Sequence, residues 1–343
     1  MTMTSLAAAS SSPLSTSVVG HDLSRPECVL ATSDGAVFVS DWRGGVTRID
    51  VDGRQTGLFA RSQALKPNGI AMQANGRFLV AHLDDHEGGV FELAGDGTTR
   101  PFLLEVDGRA LEPTNFVLTE SDAVWITVST RQVPRHSARC RYVADGYIVR
   151  MDERGARIVA DGIAFANECR VDAQRRWLYV NETYGARVSR FAIGADGDLG
   201  VRETYVQFEN DVFPDGVTID AAGSLWVTSV YSNRLLRVAP DRSVEVLLDE
   251  SDDTFVRMFV LDVDRGDMAE PGPIAVPWRT YGNLSSCAFG GAAADQLYLG
   301  CLLDSRIYRA DAGVRGLLPF HWTARPEPGA GWITTPSLER TAR

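Results

Sequence analysis

Six oxygen-bearing residues recur at one position, each just ahead of a short apolar run: Glu27, Asn68, Asn115, Asn167, Asp215 and Ser285. None is apolar and none is basic. Singly each is ordinary, because Asn and Asp favour turns for backbone reasons. Brought to one point, two carboxylates with amide and hydroxyl oxygens suit a hard cation, which takes about six to eight oxygen ligands and accepts water among them. The lack of His and Cys in the set disfavours zinc and copper on ligand chemistry. Two carboxylates would neutralise Ca²⁺, and Mg²⁺ or Mn²⁺ would be tolerated. The alternative is a polar, water-filled channel without metal.

Convergence of these residues requires a repeating scaffold, and the chain carries one. Six segments share a short strand, a polar turn with Asp or Gly, a second strand with a polar end and a third strand. They begin CVLATSDGAVFVSD at Cys28, GIAMQANGRFLVAH at Gly69, FVLTESDAVWITVS at Phe116, ECRVDAQRRWLYVNET at Glu168, GVTIDAAGSLWVTS at Gly216 and SCAFGGAAADQLYLG at Ser286. Runs such as SLWVTSV and RWLYVNET are apolar over a few positions and bounded by turn residues, the pattern of strands. No long window shows helical periodicity. Repeats of about 40–50 residues with three or four strands each predict an all-β, six-bladed β-propeller with a central metal site. Two separate all-β domains are the lesser reading.

In a propeller the first strand of each blade lines the central channel, so the six polar residues would meet at one mouth. The second strand runs back to that mouth, which adds Asp41 and Trp42, residues 82–86, Ser129 to Arg131, Asn181 to Tyr184, Ser229 to Tyr231 and Cys301 to Asp304. Such a mixture of aromatic and polar groups suits a small, partly apolar ligand. We expect one domain over residues 21–343, with residues 1–20 a flexible tail whose end joins a blade. The last blade would close through residues 14–20 or through residues 314–321. Two stretches break the rhythm. Residues 130–146 (TRQVPRHSARCRYVADG) carry Arg131, Arg135, His136, Arg139 and Arg141, and residues 250–284 carry acidic residues, prolines and Trp278. Loops of this length in a compact domain are functional or mobile.

Of 343 residues, 44% are hydrophobic and 23% charged, ordinary values for a globular protein. A formal net charge of −11 argues against nucleic acid and anionic membrane surfaces as partners. No apolar run approaches the roughly 18 residues of a membrane span. The Ala/Ser/Thr-rich start lacks the basic and apolar regions of a secretory signal. Cys28, Cys140, Cys169, Cys287 and Cys301 form no close pair and no ligand spacing, so reduced, buried thiols and a cytoplasmic location are expected. His21 and His321 are read as structural, and His86 with Glu87 as surface groups.

The stretches RPEC at 25–28, NECRVDAQRRWLYVNET at 167–183 and FPDGVTIDAAGSLWVTSV at 213–230 resemble the SMP-30/gluconolactonase/LRE-like family. The resemblance implies a lactone-cleaving hydrolase whose divalent metal is held by residues matching Glu27, Asn167 and Asp215. Asn115 matches a further ligand of related propellers, or a substrate contact where it does not ligate. Ca²⁺ is the first expectation, with Mg²⁺, Mn²⁺ or Zn²⁺ as substitutes. Many sugar lactonases of the family carry an Arg where this chain has Pro113, which weakens assignment to an aldonolactone. The implied chemistry is metal-assisted ester hydrolysis of a lactone or related cyclic or aryl ester. Asp215 is first choice to orient or deprotonate the water, with Glu182 or His82 as alternative bases. Asn68, Asn115, Trp42, Arg131, Tyr184 and Tyr231 are the expected substrate contacts, and the arginines of 130–146 suit an acidic substrate or product. The expected partner is a small molecule, and the expected state a monomer or small homo-oligomer. Rival functions on this scaffold are a metal-dependent isomerase or epimerase, a strictosidine-synthase-like condensing enzyme and a non-catalytic binding propeller.

Overall fold

The computed structural model describes residues 14–268, 274–277 and 280–335, so residues 1–13 of the expected tail and Trp278 lie outside the described residues. Strands dominate, in six antiparallel sheets of four or five strands. The innermost strands are Val29–Ala31, Pro67–Met72, Thr114–Thr119, Ala166–Val171, Pro214–Ile219 and Leu284–Gly290. Each packs on the inner strands of both neighbouring sheets, and the last meets the first, which closes a six-bladed propeller.

The sequence forms these sheets for two reasons. Inner and second strands are buried on both faces, so Val, Ile, Leu and Phe run almost continuously along them, as in Phe78–His82 and Leu225–Ser229. The hairpins between first and second strands need a left-handed residue, supplied in three blades by Gly35, Gly76 and Gly223 at φ of 82°, 82° and 88°. In the fourth and sixth blades Arg175 and Ala294 adopt the same region at 56° and 55°.

Both ends of the described chain are tied into blades. Thr16–Val19 pairs antiparallel with Ile307–Asp311 as the outer strand of blade six. Trp332–Thr334 pairs with Gln55–Phe59 and adds a fifth strand to blade one. Residues 314–321 form no strand; Leu317, Leu318, Pro319 and His321 line a cavity among the inner strands.

The stretch 250–284 departs from the expectation of no helix. Asp253–Arg265 is a 13-residue α-helix capped by the Asp252 side chain, which accepts from the Phe255 N–H, and terminated by Gly266 at φ 76°. Its buried face is Val256, Phe259 and Val263. Phe259 lies 4.2 Å from the ring of Tyr231 and 5.0 Å from that of Phe213, so the helix roofs aromatic residues that follow the blade-four and blade-five strands.

Candidate functional site

All six residues of the recurring position are buried, five as the second residue of their inner strand and Glu27 just ahead of its own: Glu27, Asn68, Asn115, Asn167, Asp215 and Ser285. Strand register explains how they come together. Pro67 pairs with His82, Ala166 with Glu182, Pro214 with Ser229 and Leu284 with Cys301, so starts of first strands and ends of second strands share one mouth. Two glycines narrow the ring. A Cβ on Gly69 would stand 2.6 Å from Phe116 Cα, and one on Gly216 2.4 Å from the Ser285 carbonyl oxygen, distances only a residue without a side chain permits.

Hydrogen bonds tie the ring together in two groups. Asn68 Nδ2 donates to Glu27 Oε1 at 2.7 Å and to the Asn115 carbonyl at 2.9 Å. Asn167 Nδ2 donates to Asp215 Oδ1 and, at 3.1 Å, to Thr183 Oγ1. Asn181 Nδ2 braces the backbone carbonyls of Asp215 and Gly216. Ser285 Oγ donates to the Glu27 carbonyl at 3.1 Å. Asn115 Oδ1 is buried with no hydrogen-bond partner.

Burial, then the Glu27 and Glu168 carboxylates, push the Asp215 carboxyl well above the usual range, while Arg25 and Arg135 pull it down. A buried carboxyl whose pKa is raised by burial and a neighbouring carboxylate, beside an orphaned amide oxygen, is part of the donor set a hard cation would complete. Glu27, Asn115, Asn167 and Asp215 are therefore fit to hold one. Among the described residues no group of three or more His, Cys, Asp and Glu side chains is placed to hold a metal ion, so a cation here depends on the amide oxygens.

The other expected site residues divide. Trp42 lies at the mouth under Arg25, whose guanidinium is 4.4 Å from its ring. Tyr184 and Tyr231 are stacked with their hydroxyls 3.5 Å apart, buried among Phe165, Phe213 and the helix. His82 lies next to the start of blade two, but its Nδ1 accepts the Lys66 N–H at 3.0 Å, which places the ring proton on Nε2; burial lowers its pKa. Glu182 turns into its own blade, where Arg187 at 2.6 Å, Ser189 at 2.5 Å and the Ala164 N–H at 2.8 Å take its oxygens. Burial opposes its charge, yet those donors hold its pKa below the usual range. Arg131 is engaged by Asp161, the Asp145 carbonyl and the Tyr147 ring within blade three, and is not brought to the ring.

Sequence reasoning passed over Arg25 and Glu168. Arg25 Nη1 bridges Glu27 Oε2 at 2.5 Å and Asn68 Oδ1 at 2.7 Å. Glu168 pairs with Arg170 at 3.0 Å and accepts from the Val217 N–H. Its signal was a charged residue inside an inner strand. All five cysteines are free and buried, and burial pushes the Cys169 thiol up to about 12, far from a reactive thiolate.

Among the described residues no helix is long and apolar enough to cross a membrane. The sequence model of the SMP-30/gluconolactonase/LRE-like region matches residues 25–249. A curated relative, the 6-deoxy-6-sulfogluconolactonase of Pseudomonas putida, is 31% identical over 31% of this chain and 36% of its own length. A relative from Bacillus subtilis is 23% identical over 50% of this chain and 48% of its own length, so the chain spans about half or less of either. Among solved structures, a gluconolactonase from Xanthomonas campestris superposes with TM-score 0.63 at 18% identity, covering 91% of this chain and 98% of that one. The calcium-binding protein regucalcin from Agrobacterium tumefaciens gives 0.60 at 15% identity, covering 92% and 97%. These two likenesses concern the fold. With its blades, its axial ring and the match over residues 25–249, the chain belongs to the SMP-30/gluconolactonase/LRE-like family.

Proposed function

We propose that the protein is a divalent-cation-dependent hydrolase that opens a lactone to a hydroxy acid. The observation that carries this is Asp215, a buried carboxylate facing Glu27 in a ring with the unpartnered Asn115 Oδ1. The activity named for the Pseudomonas relative and the calcium binding named for the Agrobacterium structure support the same reading. Ca²⁺ is the first choice, held by Glu27, Asn115, Asn167 and Asp215. When bound, it would supply the electrophilic polarisation of the ester carbonyl.

This chain's residues do the rest. Asp215 orients the attacking water at a carboxylate oxygen and takes its proton as the water oxygen bonds to the carbonyl carbon. The ring C–O bond then breaks, and the proton on Asp215 passes to the departing alkoxide, which leaves a hydroxyl and a carboxylic acid; the acid ionises at neutral pH and releases its proton to solvent. Asn167 and the Asn181-braced backbone fix the Asp215 side chain. Glu182 and His82 are less suited to this step, since the oxygens of one and the Nδ1 lone pair of the other are already bonded. Asn68, Asn115, Trp42, Tyr184 and Tyr231 form the surrounding wall, with Tyr184 and Tyr231 acting through their shared aromatic layer.

The test is calorimetric titration of Ca²⁺ into chelator-treated protein, followed by pH-stat assay of a panel of lactones with and without Ca²⁺. One-to-one binding with Ca²⁺-dependent acid release is expected. Acid release that persists in chelator would exclude the cation-dependent reading.

A further inference from the structure

Four arginines lie within residues 130–146, and the structure separates them. Arg131 pairs with Asp161 and Arg141 with Asp264. Arg135, in the short 3₁₀ turn Arg135–Ala138, has no carboxylate within ion-pair distance among the described residues. Its guanidinium lies 4.5 Å over the Phe165 ring, and one Nη2 donates to Ser129 Oγ at 3.0 Å. Its Nε is buried without a partner. Ser129 closes the second strand of blade three and bonds the Ala166 carbonyl, and Phe165 stands two residues ahead of Asn167, so Arg135 belongs to the axial mouth. The fields of Glu27 and Asp215 reach it there. The buried Arg139 stands beside it.

A half-buried guanidinium that makes no ion pair among the described residues is unusual in a chain of net charge −11, in which other buried or half-buried arginines such as Arg150, Arg187 and Arg234 carry carboxylates. Phe165 and Ser129 fix its plane while leaving donors open, the arrangement that favours bidentate recognition of a carboxylate, phosphate or sulfonate. Pro134, Arg135 and His136 keep partial exposure, so this turn is open to solvent. Burial, then the Arg139 charge, make the ionised form of Arg135 costly, and a bound anion would offset that cost.

We propose that Arg135 is a specificity-determining residue that binds a permanently anionic substituent on the substrate, remote from the bond that is cleaved. The inference rests on the lactonase reading for its chemistry, but anion binding at Arg135 can be tested without turnover. Gluconate, which has only the carboxylate formed by ring opening, and 6-phosphogluconate, which adds a second anion, are titrated into the wild type and into Arg135→Gln, Arg135→Lys and Arg131→Gln. Thermal melts establish that each variant is folded, and Arg135→Lys keeps the charge if Arg135→Gln does not fold. Wild type and Arg131→Gln are expected to bind 6-phosphogluconate at least about tenfold more tightly than gluconate, with the gap closed in Arg135→Gln and narrowed in Arg135→Lys. The kcat/KM ratio of 6-phosphogluconolactone over gluconolactone should fall by about 10- to 100-fold in Arg135→Gln. Equal wild-type affinity for the two acids, or equal weakening of both in Arg135→Gln, overturns the proposal. Arg135-dependent binding of 6-phosphogluconate without hydrolysis of either lactone would sustain the anion site and exclude these two lactones as substrates.

Discussion

Arg25 Nη1 donates to Glu27 Oε2 at 2.5 Å and holds one oxygen of the carboxylate that the cation reading requires. Both side chains are largely buried, and the Arg25 backbone sits at φ 50°, a left-handed conformation that costs a non-glycine residue about 1 kcal/mol. The chain is thus bent to bring a fixed positive charge onto a proposed ligand.

A unit charge a few ångströms from Glu27 must repel a divalent ion. Replacing Arg25 by Gln should tighten Ca²⁺ binding by roughly tenfold or more in calorimetry at low salt. Weaker binding in the variant would show instead that Arg25 holds Glu27 in place.

Asp215 is expected to trade stability for function. Its carboxyl has a raised pKa in the folded protein, so the fold holds more protons than the unfolded chain and is destabilised as pH rises above the ordinary value of 3.8. In chelator at pH 7, Asp215→Asn should therefore raise Tm by roughly 2 °C, about 1 kcal/mol for a protein of this size. The same variant should lose Ca²⁺ binding and on the order of 10³-fold in lactone hydrolysis. A drop in Tm together with intact Ca²⁺ binding would contradict both halves.

How much of this was legible follows from strand geometry. The blades were readable because short apolar runs and turn residues recur, and the axial ring because one offset repeats at the start of each inner strand. Glu182 shows where offset alone fails. It lies at the mouth end of its strand, yet alternation sends Asn181 and Thr183 toward the carbonyls of Asp215 and Pro214 and Glu182 the other way, to Arg187 and Ser189. Arg131 and Arg135 are chemically identical in sequence, and only the 3₁₀ turn after Pro134 decides which faces the axis. The helix was hidden because its buried stripe is just Val256, Phe259 and Val263; Asp252 as N-cap and Gly266 after Arg265 were its readable marks.

Gly216 tests how tightly blades five and six must approach. In Gly216→Ala the new Cβ would meet the Ser285 carbonyl oxygen at 2.4 Å and Ser286 Cα at 2.5 Å, both backbone atoms. Such overpacking should cost about 1–3 kcal/mol in urea unfolding and weaken Ca²⁺ binding through displacement of Asp215. Unchanged stability and affinity would mean that the axial ring tolerates widening.

Phe259 anchors the helix to the aromatic layer over the mouth. Phe259→Ala removes contacts with Tyr231, Phe213 and Phe255, and the helix has little else buried. Amides of 256–265 should exchange at least about tenfold faster in the variant, with exchange in the inner strands little altered. Faster exchange throughout the blades would show that the helix is integral to the propeller rather than a roof.

His321 governs the acid side of stability. Burial, followed by the Arg170 charge, lowers its pKa from 6.5 to about 4, and its Nε2 has no hydrogen-bond partner. Between those values the unfolded chain binds the proton and the folded chain does not, so stability is retained above pH 6.5 and lost as pH falls toward 4. The full loss is about 3 kcal/mol, because each pKa step corresponds to about 1.4 kcal/mol. His321→Gln removes that titration, so its Tm should decline less steeply than the wild type's between pH 6.5 and 4. Parallel Tm profiles over that window would show that His321 is accommodated as a cation, against its burial among Leu317, Phe289 and the inner strands.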